Sequence, residues 1–346
     1  MKKYELNSIN KNELKDLFES IGEKGYRADQ LFEHIHKHRV FDIDHITVFS
    51  KDLKAKTKDL GYINKLELVR VIDSQIDNTK KFLFKLMDGQ IIETVFMEYQ
   101  DRNTICVSCQ VGCKMGCKFC ASTKAGFKRN LTTAEIVSQI YCVENYLGET
   151  INNIVFMGIG EPLDNYDNMV RAILILNDPS GKNLSQRSMT LSTSGLANRI
   201  VDLADLKLSI NLAVSFHYPF DEQRSSFMPV NNKYSISQLL RACDYYFEQT
   251  GRRVSFEYVL VDGLNDTEKH IDKLVQLFKG KNIHINLIPL NEIDEFQYKT
   301  SKDASIKNFA DKLNKRGLNA TVRNKRGSDI EGACGQLRVN YIGENL

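Results

Sequence analysis

Cys113, Cys117 and Cys120 stand in a C-x3-C-x2-C run, which gathers three thiols on one short stretch of chain and follows them with no fourth cysteine at matching spacing. A structural zinc site closes with four ligands, and an electron-transfer iron–sulfur cluster takes four cysteines. Three cysteines suit a cluster with one iron left open to a substrate. Cys109 lies four residues before Cys113, so a closed zinc or cluster site built from Cys109, Cys113, Cys117 and Cys120 is the competing assignment. A disulfide framework fits less well. The opening residues Met1-Lys2-Lys3-Tyr4-Glu5 contain no apolar signal region, and no stretch of the chain is long and apolar enough to span a membrane. The expectation is a cytoplasmic protein with reduced thiols.

The chain that must position these thiols has 346 residues, 42% hydrophobic and 26% charged, enough for a full core and for one large and one small domain. Lys and Arg total 47 against 44 Asp and Glu, and a net charge of +3 is too small to announce nucleic-acid binding. Its distribution says more. No acidic residue occurs from Asn103 to Ala134, while Lys114, Lys118, Lys124, Lys128 and Arg129 accumulate around the cysteines. These cations can compensate an anionic cluster, contact RNA phosphates, or do both.

Leu14, Leu17, Phe18 and Ile21 recur at helical spacing, as do Ala28, Leu31, Phe32 and Ile35, and a third helix is expected over Leu53 to Leu60. Strand-like runs follow at Leu66 to Ile72, around Phe82, Phe84 and Leu86, and at Ile91 to Phe96, with Asp88-Gly89 as a turn. From about Thr104 the pattern alternates. Apolar runs at Ile105 to Val107, Ile154 to Met157, Met189 to Leu191, Leu212 to Val214, Val254 to Leu260 and Ile283 to Ile288 are each followed by helical periodicity. Helices are expected over Ala134 to Tyr146, Asn168 to Leu176, Ile236 to Gln249, Glu268 to Phe278 and Ser305 to Arg316. This is an α/β fold, a partial (β/α)6 barrel with two units fewer than a closed one. The expected division is a helical accessory domain over 1–65, a β extension over 66–103 and a catalytic domain over 104–346. In parallel β/α sheets the chemistry sits beyond the C-terminal strand ends. Cys113, Gly160-Glu161, Ser192, Ser215 with His217, and Asn291 all follow strands there.

The cysteine spacing resembles the radical S-adenosylmethionine (SAM) superfamily. The runs Met157-Gly158-Ile159-Gly160-Glu161-Pro162-Leu163, Leu191-Ser192-Thr193-Ser194-Gly195, Met228-Pro229-Val230-Asn231 and Asp329-Ile330-Glu331-Gly332-Ala333-Cys334-Gly335-Gln336-Leu337 resemble the RlmN/Cfr family of RNA adenine methyltransferases. Similar stretches extend from Gly25-Tyr26-Arg27-Ala28 to Leu337, nearly the whole chain. The resemblance implies a barrel of the radical SAM type, with a [4Fe-4S] cluster on Cys113, Cys117 and Cys120. It implies SAM bound by Gly160, Glu161, Ser192, Ser215, Phe216, His217 and Asn291. Glycines at 158 and 160 would let backbone approach the cofactor, and Glu161 would accept hydrogen bonds from its ammonium group. Phe216 stands where the family commonly has leucine. Singly, each of these residues also has an ordinary reading as a turn glycine, a cap or a core histidine.

Carbon 2 of adenine lies between two ring nitrogens and is too electron-poor to attack a sulfonium methyl. The resemblance implies a relay in which Cys334 is methylated, the S-methyl group becomes a carbon radical that adds to adenine, and Cys106 attacks the Cys334 sulfur to release product. Glu93 matches the base that removes the ring proton, although a strand glutamate is ordinarily a solvated side chain. Cys142 and Cys243 read as small buried hydrophobes and Cys109 as a bystander. The implied substrates are an adenosine in the peptidyl-transferase region of 23S rRNA and one beside the anticodon of tRNA, each extruded to be reached. Lys37-His38-Arg39, the Lys124 to Arg129 loop, and Arg323, Lys325 and Arg326 are candidate RNA contacts, although each taken singly reads first as a solvated surface charge. Deleting residues before Leu66 is expected to weaken RNA methylation more than methylation of Cys334. A flavodoxin or ferredoxin would donate electrons, and a monomer is expected. The resistance branch of the family, which methylates carbon 8, tends to have alanine where Pro162 stands and isoleucine where Ser194 stands, which favours carbon 2 here. From another class, a non-catalytic RNA-binding protein with structural zinc is the alternative.

Overall fold

A computed structural model of the chain describes residues 3–338, so the expected first and third domains extend past it at 1–2 and 339–346. Three helices open the chain. In α1 (Lys11–Glu19) Asn10 caps the amides of Asn12 and Glu13, Glu13 answers on the Asn10 amide, and Leu14 and Phe18 turn inward. Helix α2 (Gly25–His36) buries Leu31, Phe32 and Ile35, and α3 (Lys51–Leu60) buries Leu53. Strands β1 (Tyr4–Glu5) and β2 (Gly61–Tyr62) pair in parallel and bring the two ends of this module together.

The antiparallel meander β3 (Glu67–Asp73), β4 (Thr79–Lys85) and β5 (Ile91–Glu98) follows, as the strand pattern predicts. Strand β6 (Asn103–Cys106) is the junction: antiparallel to β5 on one side and parallel on the other to β9 (Asn153–Phe156). Between them, the two-residue strands β7 (Gln110–Val111) and β8 (Arg129–Asn130) clasp the cysteine loop. The parallel part continues through β10 (Met189–Thr193), β11 (Asn211–Ser215), β12 (Val254–Leu260), β13 (Ile283–Pro289) and β14 (Ala320–Val322). One ten-stranded sheet results, in the order β14-β13-β12-β11-β10-β9-β6-β5-β4-β3, and its end strands do not pair, so the barrel stays open.

Helices α4 (Thr133–Leu147), α5 (Tyr166–Asn177), α6 (Ala197–Asp205), α7 (Asp221–Phe227), α8 (Ile236–Thr250), α9 (Glu268–Phe278) and α10 (Asp303–Lys315) complete six β/α units. Helices α6 and α7, strand β14 and the two-residue strands β1, β2, β7 and β8 escape the sequence pattern. Helix α7 has seven residues, too short for periodicity to register, whereas α6 has nine, as many as α1. Strand β14 has three residues, two of them exposed, and adds a seventh parallel strand at the sheet edge.

The three expected segments share a continuous hydrophobic core running from Leu6 through Ile92 and Phe256 to Leu337. The N-terminal module is also fastened to α4 by polar groups. Asn7 donates to the Asn64 carbonyl and to Ser138 Oγ, both at 2.9 Å, and His36 meets the Tyr141 hydroxyl at 3.0 Å, all in buried surroundings.

Candidate active site

The cysteine loop leaves β6, passes through Cys113, Cys117 and Cys120, and returns through β8 to α4. Gly112 makes the return possible. Its φ is +75°, and a Cβ there would lie 1.7 Å from the Gly126 carbonyl oxygen, so no other residue fits where the loop crosses itself. The three thiols line one cavity with Gly160, Glu161, Ser192, Ser194, Ser215, His217, Asn291 and Cys334 in its wall. Burial is the main cause that pushes all three thiols up, Cys113 to about 12.

Of the expected SAM residues, Glu161 is buried, and its carboxylate accepts from the amides of Ser194 at 2.6 Å and Leu163 at 3.0 Å. Burial nevertheless raises its pKa. Gln110, on the clasp, accepts from the Glu161 amide at 2.9 Å, which ties the cysteine loop to the end of β9. His217 has φ +55° and accepts at Nδ1 from the Val259 amide at 3.0 Å, which puts its proton on Nε2. Burial, then the Arg224 charge, lowers its pKa to about 3, so the ring is neutral. The Phe119 ring, from within the cysteine run, meets it edge-on at 4.9 Å.

At three of these positions protein packing adds a constraint of its own. Gly158 and Gly160 line the cavity, but what excludes a side chain there is protein. A Cβ would fall 2.7 Å from the Ser108 amide nitrogen at Gly158 and 2.6 Å from Gln110 Cβ at Gly160. Phe216 contributes no side chain to the cavity, because its ring packs behind the sheet against Phe256 and Phe278. Ser215 faces the cavity, and the next residue of an extended chain faces the opposite way.

Cys334 lies at the boundary of this cavity with a second one, lined by Cys106, Met157, Asn291, Arg323, Arg326, Tyr99 and again Cys334. Of the eight cysteines, all among the described residues, Cys334 is the one that lines both. Burial pushes the Cys106 thiol up to about 12. The Cys334 segment is held from four directions. Asn291 Nδ2 donates to the Cys334 carbonyl at 3.1 Å, the Ala121 amide donates to the Gly335 carbonyl at 2.7 Å, Ser122 Oγ donates to the Leu337 carbonyl at 2.8 Å, and the Arg338 amide donates to Glu93 at 2.9 Å.

Glu93 is buried, not solvated. Both faces of β5 are covered, and on the interior face Glu93 stands beside Lys81, 3.3 Å away and equally buried. Strand pairing aligns Val95 with Cys106, so Glu93, two residues from Val95, shares that face with Cys106. Burial raises the Glu93 pKa against the opposing pull of Lys81. Glu93 lines neither cavity, since the Cys334 segment lies across it.

Sequence reasoning missed Arg224. It is fully buried on α7 and donates to the carbonyls of Ser194 (2.6 Å), Ser215 (2.9 Å) and Phe216 (3.2 Å) and to Asn231 Oδ1 (3.0 Å). One guanidinium thus braces the ends of β10 and β11, and burial lowers its pKa to about 10. The signal was Asn231, whose motif was legible without its purpose. Arg323, a candidate RNA contact, is half-buried and lines both cavities beside Met157 and Cys334. Cys109 stays outside the cavity, its sulfur 3.7 Å from the Ile159 carbonyl. Arg129 is spent on Glu135 and Asp88, Lys114 on Asp164, and Arg39 on Glu144 and Asn145.

A family model described as the radical SAM superfamily matches residues 107–275, and one described as the ribosomal RNA large subunit methyltransferase N-terminal domain matches 4–63. A probable dual-specificity RNA methyltransferase RlmN of Finegoldia magna is 50% identical over 337 residues, 97% of each chain. The chain belongs to the RlmN family of radical SAM RNA methyltransferases. Its relative from Clostridium novyi is 48% identical over 96% of this chain and 97% of its own. The crystal structure of a radical SAM methyltransferase from Sphaerobacter thermophilus superposes with a TM-score of 0.93 at 43% identity, covering 97% of this chain and 99% of that one.

The residues present fit the cofactors such a family uses. Three soft thiols share a cavity wall, and Asn291 Oδ1 in the same wall is buried without a hydrogen-bond partner, as a group awaiting a polar ligand is. Among the described residues no three His, Cys, Asp or Glu side chains converge as a single-ion site requires. Three thiols on one cavity wall suit a cluster whose thiolates sit on different irons. Among the described residues no helix is long and apolar enough to cross a membrane.

Proposed function

We propose that this protein methylates carbon 2 of an adenosine in 23S rRNA and in tRNA, carrying the methyl group on Cys334. The observation that supports this most is the position of Cys334 on the boundary of two cavities, with Cys113, Cys117 and Cys120 on one side and Cys106 on the other. Cys113, Cys117 and Cys120 would hold a [4Fe-4S] cluster, and Gly160, Glu161, Ser192, Ser215, His217 and Asn291 would hold SAM, with Phe216 limited to its backbone. When bound, these groups supply a methyl group and, after one-electron cleavage of SAM, a hydrogen-abstracting 5'-deoxyadenosyl radical.

The chain's own residues do the rest. Arg323 keeps a cation beside the Cys334 sulfur, at the boundary of the two cavities. Asn291 ties the Cys334 backbone to the wall where SAM would bind. After the S-methyl carbon has added to adenine, Glu93 takes the ring proton, its basicity raised by burial. That step requires the Cys334 segment, which covers Glu93, to yield. Cys106 then attacks the Cys334 sulfur as that sulfur's bond to the added carbon breaks; the departing carbon takes a proton to become the methyl group and a Cys106–Cys334 disulfide remains, the adduct's unpaired electron having an acceptor in the oxidised cluster that Cys113, Cys117 and Cys120 would hold. A flavodoxin or ferredoxin would reduce the cluster, and the protein would act as a monomer in the cytoplasm.

The test is nucleoside mass spectrometry of rRNA and tRNA fragments incubated without oxygen with reduced, reconstituted protein and SAM. The expected product is 2-methyladenosine. Appearance of 8-methyladenosine moves the protein to the resistance branch, and 5'-deoxyadenosine with neither nucleoside overturns the substrate.

A further inference from the structure

The cavity that holds both Cys106 and Cys334 measures about 40 Å³, room for a few waters and far too little for a purine. An adenosine reaches Cys334 from that side only if the rim opens. The rim is built from two segments far apart in sequence. Tyr99 lines the cavity, and Arg102, just outside that lining, faces it across the turn after β5, where the Tyr99 amide donates to the Arg102 carbonyl at 2.9 Å. Asn324, Lys325 and Arg326 follow β14. The guanidiniums of Arg102 and Arg326 lie 4.7 and 4.6 Å from the centroid of the same Tyr99 ring.

Arg326 differs from the other basic positions. Arg129, Lys114, Arg39, Arg338 and, on the rim's own turn, Arg102 (to Asp101 at 3.2 Å) are committed to carboxylates, whereas Arg326 makes no ion pair with a carboxylate among the described residues. A stacked guanidinium exchanges one planar partner for another at low cost and can still take a phosphate through its edge. Unpaired RNA is bound by such means, with bases stacked on aromatic rings and the backbone held by arginine. Arg326 is followed by Gly327, whose amide is fixed to Asp77 at 3.0 Å, so its side chain can swing while its backbone stays in place.

We propose that Tyr99, Arg102 and Arg326 form the RNA-docking mouth of the Cys106–Cys334 cavity. On RNA binding an unpaired base next to the target adenosine stacks on Tyr99, and the guanidinium of Arg326 leaves the ring for the adjoining phosphate. This rests on the assignment of RNA as substrate but not on which adenine carbon is methylated. It adds a recognition element that differs in kind from the charge contacts expected of Lys325 and Arg326.

The experiment measures fluorescence anisotropy of a labelled, unmethylated tRNA anticodon stem-loop against the reconstituted full chain, alongside mass spectrometry of Cys334 methylation in RNA-free reactions. Tyr99→Ala is expected to raise the Kd between about five- and 150-fold, the range for losing one stacked base. Tyr99→Trp is expected to restore binding, and Cys334 methylation should proceed as in the parent. Arg326→Gln should reduce the slope of log K against log salt by about one. Unchanged affinity in Tyr99→Ala overturns the docking mouth, as does a parallel loss of Cys334 methylation, which would make the ring a support for the Cys334 segment. No binding by the parent protein overturns the RNA assignment itself, and the mouth with it.

Discussion

Cys106 and Arg224 show how differently single residues carry this site. The Cys106 thiol, pushed up to about 12 by burial, is no spontaneous nucleophile. It would act once Cys334 sulfur carries a leaving carbon. Cys106→Ala is therefore expected to stop release and accumulate a covalent protein–RNA adduct, visible as a denaturant-stable shift on a gel, and free methylated RNA in normal yield would contradict its role. Arg224 reaches no cofactor cavity wall, yet it satisfies three carbonyls and one amide oxygen. Arg224→Met leaves these acceptors buried without donors and should cost at least about 3 kcal/mol in urea unfolding. Arg224→Lys should recover only part, because an ammonium cannot reach around the same fork. A loss below about 1 kcal/mol for the methionine variant would contradict the bracing role.

Among the elements, α4 carries the most connections. Its N-terminus closes the cysteine loop through Arg129 and Glu135, and its buried face holds the N-terminal module through Ser138 and Tyr141. Deletion before Leu66 therefore uncovers core and polar partners together. The outcome now expected is loss of cooperative folding, read by calorimetry, in place of a selective loss of RNA methylation. Surviving Cys334 methylation in that truncation would restore the separable-module reading. The same interface makes stability depend on pH. Burial lowers the His36 pKa to about 3, so below pH 6.5 the unfolded ring binds a proton that the folded ring refuses. Stability should fall as pH drops from 6.5 toward 3, by up to about 1.4 kcal/mol per unit for this group. His36→Phe should flatten the dependence of urea unfolding between pH 7.5 and 5, and an unchanged slope would place the titration elsewhere.

At the scale of the whole molecule, an open sheet leaves its interior accessible from the strand ends, and the C-terminal segment crosses that opening to deliver Cys334. Iron and acid-labile sulfide near four each per chain are expected after anaerobic reconstitution, and a zinc-only protein would contradict the cluster. Cys109→Ser should keep that content, since the Cys109 sulfur is turned to the Ile159 carbonyl and away from the cavity. Loss of iron in this variant would make Cys109 a ligand.

Local signals are strong where a residue's neighbours in sequence are also its neighbours in space. The C-x3-C-x2-C run, the alternation of strands with helices and the placement of Glu161, Ser192, Ser215 and Asn291 beyond strand ends were therefore legible in the chain alone, and the resemblance added the pairing of Cys106 with Cys334. Tertiary structure decided the rest. Glu93 looks solvated until the Cys334 segment and Lys81 are laid over it. Arg323 looks like a surface cation until the chain after β14 brings it to the wall of both cavities. Phe216 falls behind the sheet, and Tyr99 meets Arg326 across more than 200 positions of chain. Burial and charge pairing depend on what packs from elsewhere, and no periodicity along the chain records it.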